Sequence, residues 1–328
     1  MRCPALPVSV DGRDPPERAP GTGHAVAGAP YPGPVTLSPA VDGRLPVAKT
    51  FKLFVAGAFP RSESGRSYPV TDAAGQLLAH AALASRKDVR DAVAAAKAAG
   101  AGWAGATAYN RGQVLYRVAE LLQARHEQFT DDVAAAEGLP RAEAAALVDA
   151  AIDRWVWYAG WTDKLAPVLG SVNPVAGPLV SWSAPEPTGV VGVLAPQASS
   201  LLGLVDVLAP VLATGCTAVV VTSRERPLPA VGLAEVLATS DVPGGVANVL
   251  TGDAGELAPW LAAHADVAGL DLAGCPQEIA ADCERAAAGS VTRVLPRPAA
   301  EADHTRVPGL ARLRAWTEIK TVWHPVGR

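Results

Sequence analysis

The sequence predicts an α/β protein built on a doubly wound parallel sheet. Two patterns lead there. Between Val190 and Leu295, short runs of small apolar residues alternate with helical stretches at the spacing of strand–helix repeats. The runs are apolar at successive positions, as strands covered on both faces must be. Composition agrees. Of 328 residues, 49% are hydrophobic and 18% charged, which allows a sizeable core. Aromatics make up 5%, so Ala and Val carry the apolar mass and suit close helix-on-sheet packing.

Residues 1–48 are rich in Pro, Gly and Ala. Pro15, Pro16, Pro30, Pro32 and Pro34 would break any regular element, so this stretch reads as a disordered arm. Order is expected from near Phe51, where Phe51, Leu53 and Val55 alternate with Lys52, Phe54 and Ala56, and a second strand over Ser67–Thr71. Asp88, after Ser85, suits a helix N-cap. Val89, Val93 and Ala96 follow at helical spacing, with Trp103 beyond a glycine break. A second helix is expected over Arg111–Glu127, striped by Leu115, Val118 and Leu122. A third is expected over Arg141–Trp161, with Leu147, Ala151, Trp155 and Tyr158 on one face. Trp155, Trp157 and Trp161 suit a packing seam better than a ligand box. Gly170–Val175 and Leu179–Ser183 read as a hairpin, with turn chemistry at Asn173, Pro174 and Gly177. Strands are then expected at Val190–Leu194, Ala218–Val221, Val246–Leu250, Val267–Leu272 and Val291–Leu295. Helices separate them at Leu201–Ala213, Leu228–Ala238, Glu256–Ala263 and Pro276–Ala287. This is a Rossmann-like pattern. Trp316–Trp323, alternating Ile319, Thr321 and Trp323 against Lys320 and Val322, reads as a terminal strand.

The formal charge is −4, from 28 basic and 32 acidic residues, which argues against a nucleic-acid or anionic-membrane surface. From Gly189 to Val221 the only charge is Asp206. Pro196, Gln197, Ser199, Ser200 and Pro210 divide that run into pieces too short to span a membrane. Cys3, Cys216, Cys275 and Cys283 show no CxxC spacing and suggest neither a disulfide framework nor a zinc site. Within one helix Cys275 and Cys283 would stand roughly 12 Å apart, too far to bridge. The six His residues show no HExxH spacing, so no metal is expected. With no basic head and apolar core at the N-terminus, a reducing, cytoplasmic setting is expected.

Several segments, in order, resemble the aldehyde dehydrogenase superfamily. Glu186-Pro187-Thr188-Gly189-Val190-Val191-Gly192 is similar to that family's EPxGVVG, and Leu208 to Thr217 to its LAPALAAGNT. Pro243 to Gly252 is similar to PPGVVNVVTG. Asp88–Trp103 and Arg111–Arg125 resemble two of its N-terminal helices, and Glu318-Ile319-Lys320-Thr321-Val322 its C-terminal TEVKTV strand. The resemblance covers about 51–295 and 313–324. It implies a dinucleotide-binding domain over 49–300, with an oligomerisation hairpin inserted at 170–184. It also implies a linker and C-terminal oligomerisation strand over 301–328.

The family's chemistry joins a Cys thiolate to an aldehyde, passes a hydride to NAD or NADP, and cleaves the thioester with water activated by a Glu. The resemblance places the cofactor against Pro196, Gln197, Thr222, Ser223, Gly252, Gly255, Gly274 and Cys275. The chain departs from the pattern at each reactive position. Ala198 stands where PWNFP has the oxyanion Asn, and a methyl group donates no hydrogen bond. Val221-Thr222-Ser223-Arg224 replaces the ribose-binding Lys-Pro-x-Glu, and Leu272-Ala273-Gly274-Cys275 replaces the FTGS turn. Arg297 falls where LELGG carries the general base, and an Arg accepts no proton. The family's catalytic domain, with its GQxC nucleophile, has no counterpart between Leu295 and the last strand. Cys275 is the candidate replacement nucleophile, since a helix N-terminus lowers a thiol pKa. A small turn residue standing for Ser is the plainer reading. Asp253 and Glu256 add acids near the expected phosphates.

Three readings follow. The chain is a noncatalytic subunit whose small sheet docks on an intact aldehyde dehydrogenase or on itself, resembling the degenerate second module of family 16 enzymes. Or it is an active NAD(P)-dependent aldehyde oxidoreductase with an unrecognised nucleophile. Or it is a nucleotide-binding sensor without turnover.

Overall fold

A computed structural model describes residues 47–300 and 302–326. The arm expected over 1–48 therefore lies outside the described residues, except for its last two. The ordered chain opens with β1 (Thr50–Phe51), β2 (Ser67–Thr71) and β3 (Leu77–Ala82), a three-stranded sheet in the order β1-β3-β2. The alternation expected over Phe51–Val55 gives only a two-residue strand, because Phe54 and Val55 pair instead through isolated bridges to Val249 and Ala58.

Helix α1 (Arg86–Gly105) is capped by Ser85, not by Asp88. Asp88 sits at the third helical position, and its carboxylate accepts from the Ser85 backbone at 2.7 Å, a reciprocal capping box. The helix runs through Gly100 and Gly102. Beyond them the buried Trp103 donates its indole N–H to the Leu212 carbonyl at 3.0 Å and anchors the last turn. The single helix expected over Arg111–Glu127 is two: α2 (Ala108–Ala124) and α3 (His126–Glu137), broken at Arg125. Helix α4 (Arg141–Trp161) falls where expected. Its Trp155 is fully buried, with Trp157 and Trp161 packed alongside. A short α5 (Leu165–Leu169) leads into β4 (Ser171–Asn173) and β5 (Leu179–Pro187).

The central sheet follows: β6 (Val190–Leu194), α6 (Leu202–Ala213), β7 (Thr217–Val221), α7 (Leu228–Thr239), β8 (Ala247–Leu250), α8 (Ala254–Ala262), β9 (Gly269–Asp271), α9 (Gln277–Ala288) and β10 (Arg293–Leu295). All five strands are parallel, in the order β10-β9-β6-β7-β8. Strands β6 to β8 step one way, and β9 crosses back to the far side of β6. The winding thus reverses between β6 and β9. One face is covered by α6 and α7 backed by α2–α4, the other by α1, α8 and α9, so every residue of β6, β7 and β8 is buried. Among the described residues no helix is long and apolar enough to cross a membrane.

After β10 the chain returns through α10 (Ala311–Ala315) to β11 (Thr317–Pro325). Leu313 and Trp316 are fully buried in the core beside α6. The Trp316 ring occupies the space beside Gly269, where a Cβ would come within 2.7 Å of it. Strand β11 then pairs antiparallel with β5 from Thr317↔Pro187 to Pro325↔Leu179, giving a small sheet in the order β11-β5-β4.

Candidate functional site

In an open parallel sheet, ligands bind beyond the carboxyl ends of the strands where the winding reverses. Here that point lies past Leu194 and Asp271. A cavity of about 530 Å³ opens there, walled by the turn after β6 (Pro196, Gln197, Ala198), the turn after β7 (Ser223, Arg224, Glu225) and the turn after β9 (Gly274, Cys275). Asp253, Glu278 and Arg297 line it as well. The returning segment supplies His304 and Arg312.

Gly274 makes the site possible. A Cβ on it would stand 1.8 Å from the Ala195 carbonyl oxygen, so no other residue fits without moving the β6 turn. Its N–H donates to the Leu194 carbonyl at 2.8 Å, clamping the two turns together.

Of the residues expected at the cofactor, Pro196, Gln197, Ser223, Gly274 and Cys275 meet at this cavity. Thr222, Gly252 and Gly255 do not line it. The Thr222 hydroxyl turns back to the Ser223 carbonyl at 3.2 Å, while Gly252 and Gly255 flank Asp253 at the head of α8. The donors that do face the cavity are already committed. Gln197 donates to the Ala195 carbonyl at 2.8 Å and accepts from the Arg224 backbone at 3.3 Å, and Ser223 donates to the Gln197 carbonyl at 3.0 Å. Arg224 is paired with Asp253. With Glu225, Asp253 and Glu278 on the rim, the donor set fits a dinucleotide pyrophosphate poorly.

Cys275 does not cap α9; Pro276 does. The thiol is 2% exposed. The Cys283 thiol beside it and then burial push it well above the ordinary thiol range, the opposite of what a dipole-activated nucleophile requires. The helical estimate of the Cys275–Cys283 separation also fails, because Cys275 precedes the helix and the two thiols interact directly. Cys216 is buried too, which likewise raises its thiol, and its S–H points at the Trp316 carbonyl at 3.3 Å. At the position expected for the general base, Arg297 donates to the Cys275 carbonyl at 2.9 Å. Arg226 holds the Ala198 carbonyl, and Ala198 offers no side-chain donor.

One set of charges was not legible in advance. Arg154 on α4 is 5% exposed and pairs with Asp206 on α6, whose other oxygen accepts from His304 at 2.9 Å. Arg154 also donates to the His304 and Arg306 carbonyls at 2.7 and 2.8 Å. Asp271, at the end of β9, pairs with Arg312 of α10. Burial pushes the Asp271 carboxyl up, and the guanidinium pulls against it. These two networks fasten the returning segment to α4, α6 and the end of β9. Asp206 was visible in sequence as the only charge in its apolar run. Its partners come from 98 and 52 residues away, beyond any local pattern.

Residues 59–296 match the profile of the aldehyde dehydrogenase family. The chain is 32% identical over 232 residues to (Z)-2-((N-methylformamido)methylene)-5-hydroxybutyrolactone dehydrogenase of Acinetobacter baylyi, covering 69% of this chain and 46% of that protein. It is 33% identical over 227 residues to aminoacetaldehyde dehydrogenase of Pseudomonas aeruginosa, covering 68% and 45%. Among solved structures, HpcC from Thermus thermophilus superposes with a TM-score of 0.71 at 30% identity, over 75% of this chain and 48% of that one. The NAD+ complex of an aldehyde dehydrogenase from Bacillus cereus gives 0.70 at 26% identity, over 75% and 50%. The chain thus spans about half the length of these relatives, and over that half it belongs to the aldehyde dehydrogenase family.

Proposed function

We propose that this chain is a noncatalytic aldehyde dehydrogenase-type subunit that assembles with an intact NAD-dependent aldehyde dehydrogenase. The observation that carries this reading is the cavity at the winding reversal. At the positions where the family resemblance puts the candidate thiol, the oxyanion donor and the general base, the cavity holds a buried thiol of raised pKa, a methyl group and a guanidinium. A second support is the small sheet. One face sets Val172, Trp182 and Val322 side by side across three strands, next to Val180. Val172 is 81% exposed and Trp182 39%. An apolar face of that kind suits a protein partner. The family's own use of this sheet in assembly makes a related intact subunit the natural one.

Co-expression with an intact aldehyde dehydrogenase, followed by size exclusion, tests the reading. A mixed complex that Trp182→Glu disrupts is expected. Two separate peaks refute assembly. NADH formation from aldehydes by the purified chain alone, abolished by Cys275→Ser, would refute the noncatalytic assignment and favour an active oxidoreductase.

A further inference from the structure

His304 carries a nitrogen that the fold does not use. The residue lies in the segment between β10 and α10, and its side chain is 7% exposed. Nδ1 meets the Asp206 carboxylate at 2.9 Å, and the backbone carbonyl accepts from Arg154 at 2.7 Å. Nε2 has no hydrogen-bond partner among the described residues, yet it is not sealed off from solvent. His304 lines the cavity of about 530 Å³ at the winding reversal. Fastening the segment requires only Nδ1 and the carbonyl. An Asn amide would donate to Asp206 as well, so fastening gives no reason for an imidazole with its second nitrogen open.

The neighbouring charges fix what Nε2 can do. Asp206 has one oxygen on Arg154 and the other on His304, and these neighbours with Arg312 hold it ionised, below its ordinary value, against the pull of burial. A carboxylate only accepts, so Nδ1 carries the proton, and in the neutral ring Nε2 is an acceptor. Arg312 lines the same cavity and pairs with Asp271 through one guanidinium nitrogen. A guanidinium has five N–H donors, which leaves others for a ligand carboxylate. Arg154 and Arg312 balance Asp206 and Asp271, and Arg297, just past β10, adds a further cation. Glu278 also lines this end, but it is exposed on the first turn of α9. Glu225 and Asp253 follow β7 and β8, at the other end of the strand order.

We infer that the cavity binds a small hydroxycarboxylic acid, its hydroxyl donating to His304 Nε2 and its carboxylate held by Arg312. An ammonium donor in place of the hydroxyl is disfavoured by the guanidiniums around Asp206. An acid with no hydroxyl leaves Nε2 unpaired. The site uses neither the thiols nor the small sheet. It therefore goes beyond the proposed assembly with an intact enzyme and is tested on the chain alone.

The full chain is titrated with glycolate against acetate, and with 3-hydroxybutyrate against butyrate. At least one hydroxy acid should bind about tenfold tighter than its counterpart lacking the hydroxyl, the worth of one good hydrogen bond. The same acid should shift the His304 Nε2 signal in the side-chain imidazole NMR spectrum, identified as the signal lost in His304→Asn. His304→Asn keeps a donor for Asp206 and removes the acceptor. Its urea midpoint should hold while the preference for the hydroxy acid disappears. No preference for either hydroxy acid at up to about 10 mM, an unmoved Nε2 signal, or a preference that survives His304→Asn would overturn the proposal. The two wild-type titrations decide it even if His304→Asn fails to fold.

Discussion

Removing Arg154 should unfasten the segment that closes the strand ends. Its guanidinium is almost wholly buried and meets three acceptors at once: Asp206 and the His304 and Arg306 carbonyls. Arg154→Ala leaves Asp206, only 16% exposed, with His304 as its one remaining side-chain partner, and strips both carbonyls of their donor. Truncating one member of a buried pair costs about 3–5 kcal/mol, because the surviving charge keeps its desolvation penalty. In a domain of this size that lowers the Tm by about 6–10 °C. Urea titration at neutral pH gives the free energy. Amide exchange locates it, with protection expected to fall over residues 302–316 before the central strands. Arg224→Ala is the comparison, because its pair with Asp253 is 47% and 33% exposed and should be worth at most about 1 kcal/mol. If Arg154→Ala costs no more than Arg224→Ala, the segment is held by its apolar contacts and the network is incidental.

Acid should act through the same network. Burial works against ionised Asp206, but His304, Arg154 and Arg312 outweigh it and hold the carboxyl below its ordinary value of 3.8. Its contribution to stability is complete above that value and is lost as pH falls through the folded pKa. Asp206→Asn should flatten the acid limb of the stability profile, and an unchanged limb would refute this assignment. Gly274→Ala forces a Cβ onto the Ala195 carbonyl and should cost about 1–3 kcal/mol or more by denaturant titration; a neutral result would mean the β6 and β9 turns move freely. Trp316→Ala should cost about 3–5 kcal/mol, since the ring is fully buried against Gly269, and a loss under about 1 kcal/mol would show that β11 is anchored elsewhere.

The parallel sheet was legible because each strand carries its own signature. Val190–Leu194 and Thr217–Val221 are uninterrupted small apolar runs, and a run buried on both faces needs no distant information to be recognised. Strand β3 was not legible. Leu77-Leu78-Ala79-His80-Ala81-Ala82 has no β-branched residue, and its pairing with β1 and β2 makes it a strand. Helix α3 was missed because the expected helix was ended at Glu127: Phe129 and Val133 alone carry its stripe, and the break at Arg125 falls at no Gly or Pro. At the site, the turns after β6, β7 and β9 could be placed because they follow recognisable strands. The closing charges could not, because His304 and Arg312 lie in a stretch with neither helical nor strand periodicity and find their partners only in three dimensions.

That closing stretch bears directly on what the cavity can do. In an open α/β sheet the strand ends are where a second domain or a ligand would normally sit, and bare carboxylates there would be costly to bury. Asp271 at the end of β9 is such a carboxylate and is answered by Arg312, while Asp206 on α6 is answered by His304 and by Arg154, which the 304 and 306 carbonyls hold. Leu313 and Trp316 fill the apolar space behind them. His304 and Arg312 pair these carboxylates and also line the cavity, so one set of side chains serves both the fold and the crevice wall.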